Sequence, residues 1–334
     1  MALKATSKRH AKQIAAGTEG RLKGHEFEND VVHEINRLYD ITATNFSKTD
    51  NPHIFCGNPA TILINYIGNH RNDTILQCKA HWLGALATAH QGETIINTRG
   101  DIVTGSKSDI LLELTFSNGK IEMVGVSVKA CKNNAQLALT TATSFCNMLR
   151  SYGISVSDDA EIGLKMFCGD EEYSPQSGYM PNDMSNIPIN RTARPERWFW
   201  EELPTSAQKE WENILNTHQI QITKLLLQKA IAYKTDDYPP MFVLHECDEH
   251  SSINNCTVAV FSIEELAMYS QKYDRFGIKE QSIKKGKYKG VDLAIHKYPH
   301  FGFIQFQPIG NKQNFSELQF NLKSKYYKKI PILI

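Results

Sequence analysis

Between positions 110 and 129 apolar residues crowd two short runs, Ile110–Phe116 and 121–129, parted by Ser117-Asn118-Gly119-Lys120. Two β-rich runs around a Ser-Asn-Gly cluster predict a β-hairpin. Its loop length decides what the strands present. A two-residue turn at Asn118-Gly119 sets Asp109 opposite Val128, whereas a three-residue loop, Ser117-Asn118-Gly119, sets it opposite Ser127. The longer loop also pairs Ile110 with Val126 and Leu112 with Val124, and places Gly119 where a left-handed backbone is needed. A three-residue loop with a glycine bulge is therefore expected, or else a compensating bulge before Lys129. Facing residues share a side of the sheet, so Asp109, Ser127 and Lys129 then converge.

Other periodicities predict the surroundings. Residues 1–20 read as a mobile arm and 22–39 as an amphipathic helix. On that helix Phe27, Leu38, Val31, Ile35, Tyr39 and Val32 fall on one arc of about 140°, with Glu28 inside it. The run 62–67 is β-like. A helix is expected over 134–152, with Leu137, Thr141, Phe145, Met148 and Tyr152 on one face and Gly153 as its stop. A loop-rich stretch, 154–204, contains the aromatic knot Trp198-Phe199-Trp200. A long helix over 205–231 precedes a strand at 241–246, and Ser262 with Glu265 forms a capping box for a helix over 263–273. Strand-like runs follow at 291–296, 302–307 and 317–323.

At 334 residues, 41% hydrophobic and 22% charged, the chain suits one large α/β domain or a core with a smaller addition. No run approaches the roughly 18 apolar residues of a membrane span, and no apolar signal segment is visible. Seven scattered cysteines argue against a disulfide scaffold, and cytoplasmic residence is expected. The net charge of +1 conceals an asymmetry. Residues 271–334 hold 13 Lys+Arg against 4 Asp+Glu, or +9, and the remainder 24 against 32, or −8. A second basic cluster (Lys4, Lys8, Arg9, Lys12, Arg21, Lys23) meets only Glu19 within residues 1–24. Basic ends on a neutral chain point toward a polyanion, or to a solvated charged surface.

The hairpin carries the candidate chemistry. A carboxylate can hold Mg²⁺, which polarises a phosphate and activates water, while a lysine steadies charge growing on phosphorus. Glu28, within an apolar stripe, is costly to ionise unless paired or metal-bound. A structural Glu28–Lys129 ion pair is the alternative reading. His245-Glu246-Cys247-Asp248-Glu249-His250 offers zinc-like ligands without the paired blocks of ordinary zinc sites. His70 lacks recognisable companions.

With Gly24, Phe27-Glu28 and Val31 on the helix, then Ser108-Asp109-Ile110-Leu111, then Val126-Ser127-Val128-Lys129-Ala130, the chain resembles the PD-(D/E)xK nuclease superfamily over roughly residues 22–137. The resemblance implies an α/β, restriction-endonuclease-like fold: a mixed β-sheet core flanked by helices, with additional helical and β elements C-terminal. It implies a nuclease core over 21–170, and a region over 171–334 that completes the fold and contributes DNA contacts. It further implies Mg²⁺-dependent cleavage of double-stranded DNA, as by type II restriction enzymes, and a homodimer. Asp109 matches the metal-binding acid, Lys129 the family lysine and Glu28 the helix glutamate, so Asp109 and Glu28 are the expected metal ligands. Ser108 stands in place of proline, and Ser127 replaces the second acid. No acid occurs between Lys129 and Asp158 to make good that loss.

Asn134 and Gln136, placed with Asn133 at the start of the expected helix, are candidate DNA contacts or simple caps. Lys284, Lys285, Lys287 and Lys289, interleaved with Tyr288, are candidate phosphate contacts, as is the cluster from Lys323 to Lys329. Gln305, Gln307, Asn311, Gln313 and Asn314 are candidates for base readout. Two other readings stay open: a repair or structure-specific nuclease, and a DNA-binding protein with a decayed site.

Overall fold

The computed structural model describes residues 8–38, 46–84, 94–130, 134–187, 196–228, 237–248, 252–282, 295–308, 317–323 and 325–332. In chain order the main elements are α1 (Lys8–Asn36), β1 (Phe46–Lys48), β2 (Ile54–Gly57), α2 (Pro59–Arg71), β3 (Ile75–Trp82), β4 (Ile110–Phe116), β5 (Ile121–Ala130) and β6 (Ala135–Thr141). Then come α3 (Ala142–Ser151), α4 (Asp158–Cys168), α5 (Thr205–Thr217), α6 (Gln219–Gln228), β7 (Pro240–Glu246), β8 (Cys256–Ser262), α7 (Ile263–Tyr273), β9 (Phe276–Ser282), β10 (Ile295–Phe301), β11 (Ile304–Pro308) and β12 (Glu317–Leu322). The fold is α/β, and the described residues form two sheets with helices packed against them.

The larger sheet has the order β1-β2-β8-β7-β5-β4-β3. It is mixed, because β5 and β7 run parallel while its other pairs are antiparallel. Alternation along the strands separates its faces. Ile110, Leu112 and Leu114 of β4, Val124, Val126 and Val128 of β5, Leu244 and Val260 form one core with Phe27, Val31, Val32 and Ile35 of α1 and with α2. On the other side Val243, Ala259 and Phe261 join a second core with α3 to α7. That core also takes one face of the smaller antiparallel sheet, β6-β12-β11-β10-β9. The larger sheet holds β5, which ends at Ala130, and the smaller holds β6, which begins at Ala135.

Several expectations need correction. Residues 8–20, expected as part of an arm, extend α1 to a start at Lys8. The run 62–67 is helical within α2: Asn58 Oδ1 accepts from Ala60 N at 2.9 Å, and Pro59 suits the first turn. Ile62, Leu63 and Ile64 are all buried, and such an apolar run fits a buried helix as well as a strand. The helix expected from 134 is instead β6 followed by α3. Ala135 and Leu137 are buried at a strand's period of two, β6 pairs with β12, and the Thr141 hydroxyl caps α3 by accepting from Ser144 N. The helix expected over 205–231 divides into α5 and α6 at His218. There the Asn216 carbonyl and side chain accept from Arg275 and from Phe276 N. The Ser262–Glu265 capping box is present, and Trp198, Phe199 and Trp200 are buried. Among the described residues no helix is long and apolar enough to cross a membrane.

Candidate active site at the end of the β4–β5 hairpin

The hairpin closes through three residues. Phe116 N donates to Lys120 O and Gly119 N to Phe116 O, both at 2.9 Å, and Gly119 has φ of 81°. The left-handed backbone there is why glycine is required. The strands pair Ile110 with Val126 and Leu112 with Val124, the expected register. Just past the last pair the ladder bends: Asp109 N donates to Val126 O at 2.9 Å, and Asp109 O accepts from Leu83 N and Gly84 N.

This kink turns the Asp109 carboxylate into the ladder. Its Oδ2 accepts from Val128 N at 2.6 Å and from Ser127 Oγ at 3.1 Å, and lies 3.4 Å from Lys129 Nζ. Lys129 also donates to Val128 O at 2.9 Å. Ser108, buried before the aspartate, donates to Tyr238 O at 2.7 Å. Gly125 allows this close approach, since a Cβ there would strike Ser108 Oγ and the carbonyls of Tyr238 and Pro239. Asp109 is therefore fixed by the residues just after β3, by β5 and by the lead-in to β7 together.

Glu28 reaches the same place from α1. It is 8% exposed and accepts from Trp82 Nε1 at 3.0 Å. Burial, and then the neighbouring Asp109 charge, push its carboxyl up to about 7, against a smaller opposing pull from the indole N–H and Lys129. A Cβ on Gly84 would collide with both the Glu28 carboxylate and the Trp82 indole. The ion pair of Lys129 is made with Asp109, and Glu28 keeps the indole as its hydrogen-bond partner.

Lys107, half-buried two residues before Asp109, is a further member that the sequence reasoning missed. Its Nζ donates to Leu137 O on β6. Burial and then Lys129 push its ammonium down to about 8, against the opposing charge of Asp109. A strand's alternation carried back from Asp109 would have flagged Lys107, but it lies in a loop.

The remaining candidates fall elsewhere. Asn134 and Gln136 are not at a helix start: Asn134 Nδ2 reaches Gln305 Oε1 at 3.4 Å, and Gln136, on β6, accepts from Gln319 Nε2 at 3.1 Å. Gln305 and Gln307 lie on β11. Asn133, Lys284, Lys285, Lys287, Lys289, Asn311, Gln313 and Asn314 lie outside the described residues. His70 stacks on Tyr66 and lies 3.9 Å from Glu265. His245 is buried beside Tyr326 and Tyr327, and His250 is outside the described residues. Among the described residues no group of three or more His, Cys, Asp or Glu could hold a metal.

No family model matches the chain, and no curated protein matches it significantly. Among solved structures it is similar to the restriction endonuclease MspI in complex with its cognate DNA. The identity is 11% over 78% of this chain and 79% of that chain, with a TM-score of 0.40.

The donor set suits a hard cation that keeps most of its waters. Mg²⁺ typically takes one or two carboxylates, and Asp109 and Glu28 are two that repel one another. Serine and two lysines complete a cluster of oxygen ligands and positive charge, apt for an anionic ester.

Proposed function

We propose that the protein is a Mg²⁺-dependent, sequence-specific endonuclease that hydrolyses phosphodiester bonds of double-stranded DNA, an activity of the type II restriction class. The observation that carries this reading is the convergence of Asp109, Ser127, Lys129, Glu28 and Lys107 at one hairpin end. Asp109 and Glu28 hold the cation. When bound, it supplies positive charge to a phosphate oxygen and lowers the pKa of water. Glu28 must shed its proton to serve, which its carboxyl near 7 allows in neutral solution. Val128 N and the Ser127 hydroxyl orient Asp109, so that residue needs no rearrangement to act. Lys129 turns from Asp109 to the scissile phosphate and stabilises its growing charge, and Lys107 adds to the same field. Residues 21–170 carry this chemistry, and 171–334 add DNA contacts, including Lys284, Lys285, Lys287 and Lys289. One site per chain cuts one strand, so a homodimer serves both strands, in the cytoplasm.

The test is incubation with long unmethylated duplex. Discrete fragments in Mg²⁺, none in EDTA and none with Asp109→Ala are the expected results. Preference for junctions, ends or mismatches would instead identify a repair nuclease. The pairing of only two carboxylates with Ser127 favours one second reading, a DNA-binding protein that no longer cuts. Such a protein binds duplex with salt-sensitive affinity and leaves it intact in Mg²⁺ and Mn²⁺.

A further inference from the structure

The smaller sheet presents a row of amides on the side away from its core. Gln307 stands directly opposite Gln319 across β11 and β12, and Gln305 lies two residues before Gln307. Gln319 Nε2 donates to Gln136 Oε1 at 3.1 Å, and Gln305 Nε2 to Gln307 Oε1 at 3.2 Å. These bonds put Gln136, exposed, and Gln305, Gln307 and Gln319, half-buried, on one face with the buried Asn321 that pairs with Gln136 and Gln305, while Ile304, Phe306, Leu318 and Phe320 fill the core on the other. Leu139, paired with Gln319, is 41% exposed beside them.

We propose that this face reads base edges in the major groove. The inference rests on the nuclease reading and names the surface that gives it sequence specificity. A glutamine side chain offers a donor and an acceptor side by side, the match for adenine N7 and N6, and an exposed leucine suits the thymine methyl. The site therefore contains an A·T pair. Three strands at roughly 4.8 Å spacing make the row about 10 Å wide, within a major groove about 12 Å wide. The row begins at β6, which among the described residues is an edge strand with no further strand beside it. Gln136 lies seven positions after Lys129, a reach of at most about 25 Å. Bases read by Gln136 thus lie within about seven base pairs of the cut, at roughly 3.4 Å per step. Strands β11 and β12 also belong to the region 271–334, whose charge of +9 suits phosphates. Each amide still has a second N–H or lone pair to offer at the atom in use, Gln305 included, although it both donates to Gln307 and accepts from Asn134.

The experiment compares wild type with two variants of the full chain, Gln136, Gln305, Gln307 and Gln319 all changed to Ala or all to Met. Sequences are enriched from a random duplex pool in Ca²⁺, then affinities are measured for enriched and random duplex at several salt concentrations. Circular dichroism checks folding, and methionine keeps the side-chain length if alanine disturbs the sheet. Wild type is expected to enrich a defined sequence with an A·T pair. Each lost contact reduces its preference about 5- to 150-fold, while random-duplex affinity and salt slope stay put. Variants that enrich the same sequence, an equal loss on random duplex, a wild type without preference or a site without A·T each overturn the assignment. A wild type that selects a sequence through this face yet never cuts it in Mg²⁺ would defeat the nuclease reading alone.

Discussion

Glu28→Gln should make the metal-free protein more stable while destroying its activity. The carboxyl ordinarily titrates at 4.5 and is pushed up to about 7 by burial and by Asp109. Between those values the native state holds a proton that the unfolded chain has released. Stability therefore falls as pH rises through this window and levels off above about 7. At about 1.4 kcal/mol per pH unit, the difference comes to about 3 kcal/mol by pH 8. Glutamine carries no charge, can still accept from the Trp82 indole and avoids that cost. For a chain of 334 residues, about 3 kcal/mol corresponds to roughly 4–5 °C in Tm. Urea denaturation of both proteins from pH 4 to pH 8 in EDTA reads the effect of Glu28 with its partner Asp109, because titrating groups away from the site cancel in the difference. The advantage of Glu28→Gln should grow from near nil at pH 4 to about 3 kcal/mol at pH 8. Added Mg²⁺ should then stabilise wild type, by about 2.7 kcal/mol at a hundredfold excess over Kd, and leave the variant unmoved. A difference that stays flat with pH would refute the placement of Glu28 beside Asp109 in a poorly solvated site.

Three further outcomes are expected, two from the geometry of the site and one from the charge of the sequence. Asp109→Ala and Lys129→Ala should each abolish cleavage yet keep duplex binding in gel-shift assays, with Ser127→Ala the mild change because Val128 N still holds the carboxylate; full activity in Lys129→Ala would exclude its role. Lys107, pushed down to about 8, loses its charge as pH rises through that value, so cleavage should decline on the alkaline side. Lys107→Met should lower the rate at neutral pH and remove that decline, and Lys107→Arg should shift it upward, both read from single-turnover pH profiles. Neutralising Lys284, Lys285, Lys287 and Lys289 together should weaken binding evenly across sequences and reduce the salt slope by up to about 3.6, and an unchanged slope would place the phosphate contacts elsewhere.

What the sequence makes legible is local. The hairpin register follows from Gly119 and from apolar pairs that only a three-residue loop brings together. The burial of Glu28 follows from its place in an apolar stripe, and the cap at Ser262 from its own neighbours. Where two periods fit one run, the choice is made by partners far along the chain. Ala135 and Leu137 satisfy a strand, Leu137 and Thr141 a helix, and β12, nearly two hundred residues on, decides for the strand. The kink that aims Asp109 into the ladder needs Leu83, Gly84 and Tyr238, none of which the hairpin pattern announces. Lys107 is hidden for the same reason, since its acceptor, Leu137 O, lies in the second sheet. The amide row likewise emerges only when β6, β12 and β11 stand side by side.

The most direct test of the site is a crystal structure with Mn²⁺ and a duplex that carries the enriched sequence. The account predicts an anomalous peak between the carboxylates of Asp109 and Glu28, with a backbone phosphate beside it facing Lys129 Nζ. A cation bound elsewhere, or a phosphate path that passes this hairpin end without contact, would contradict it.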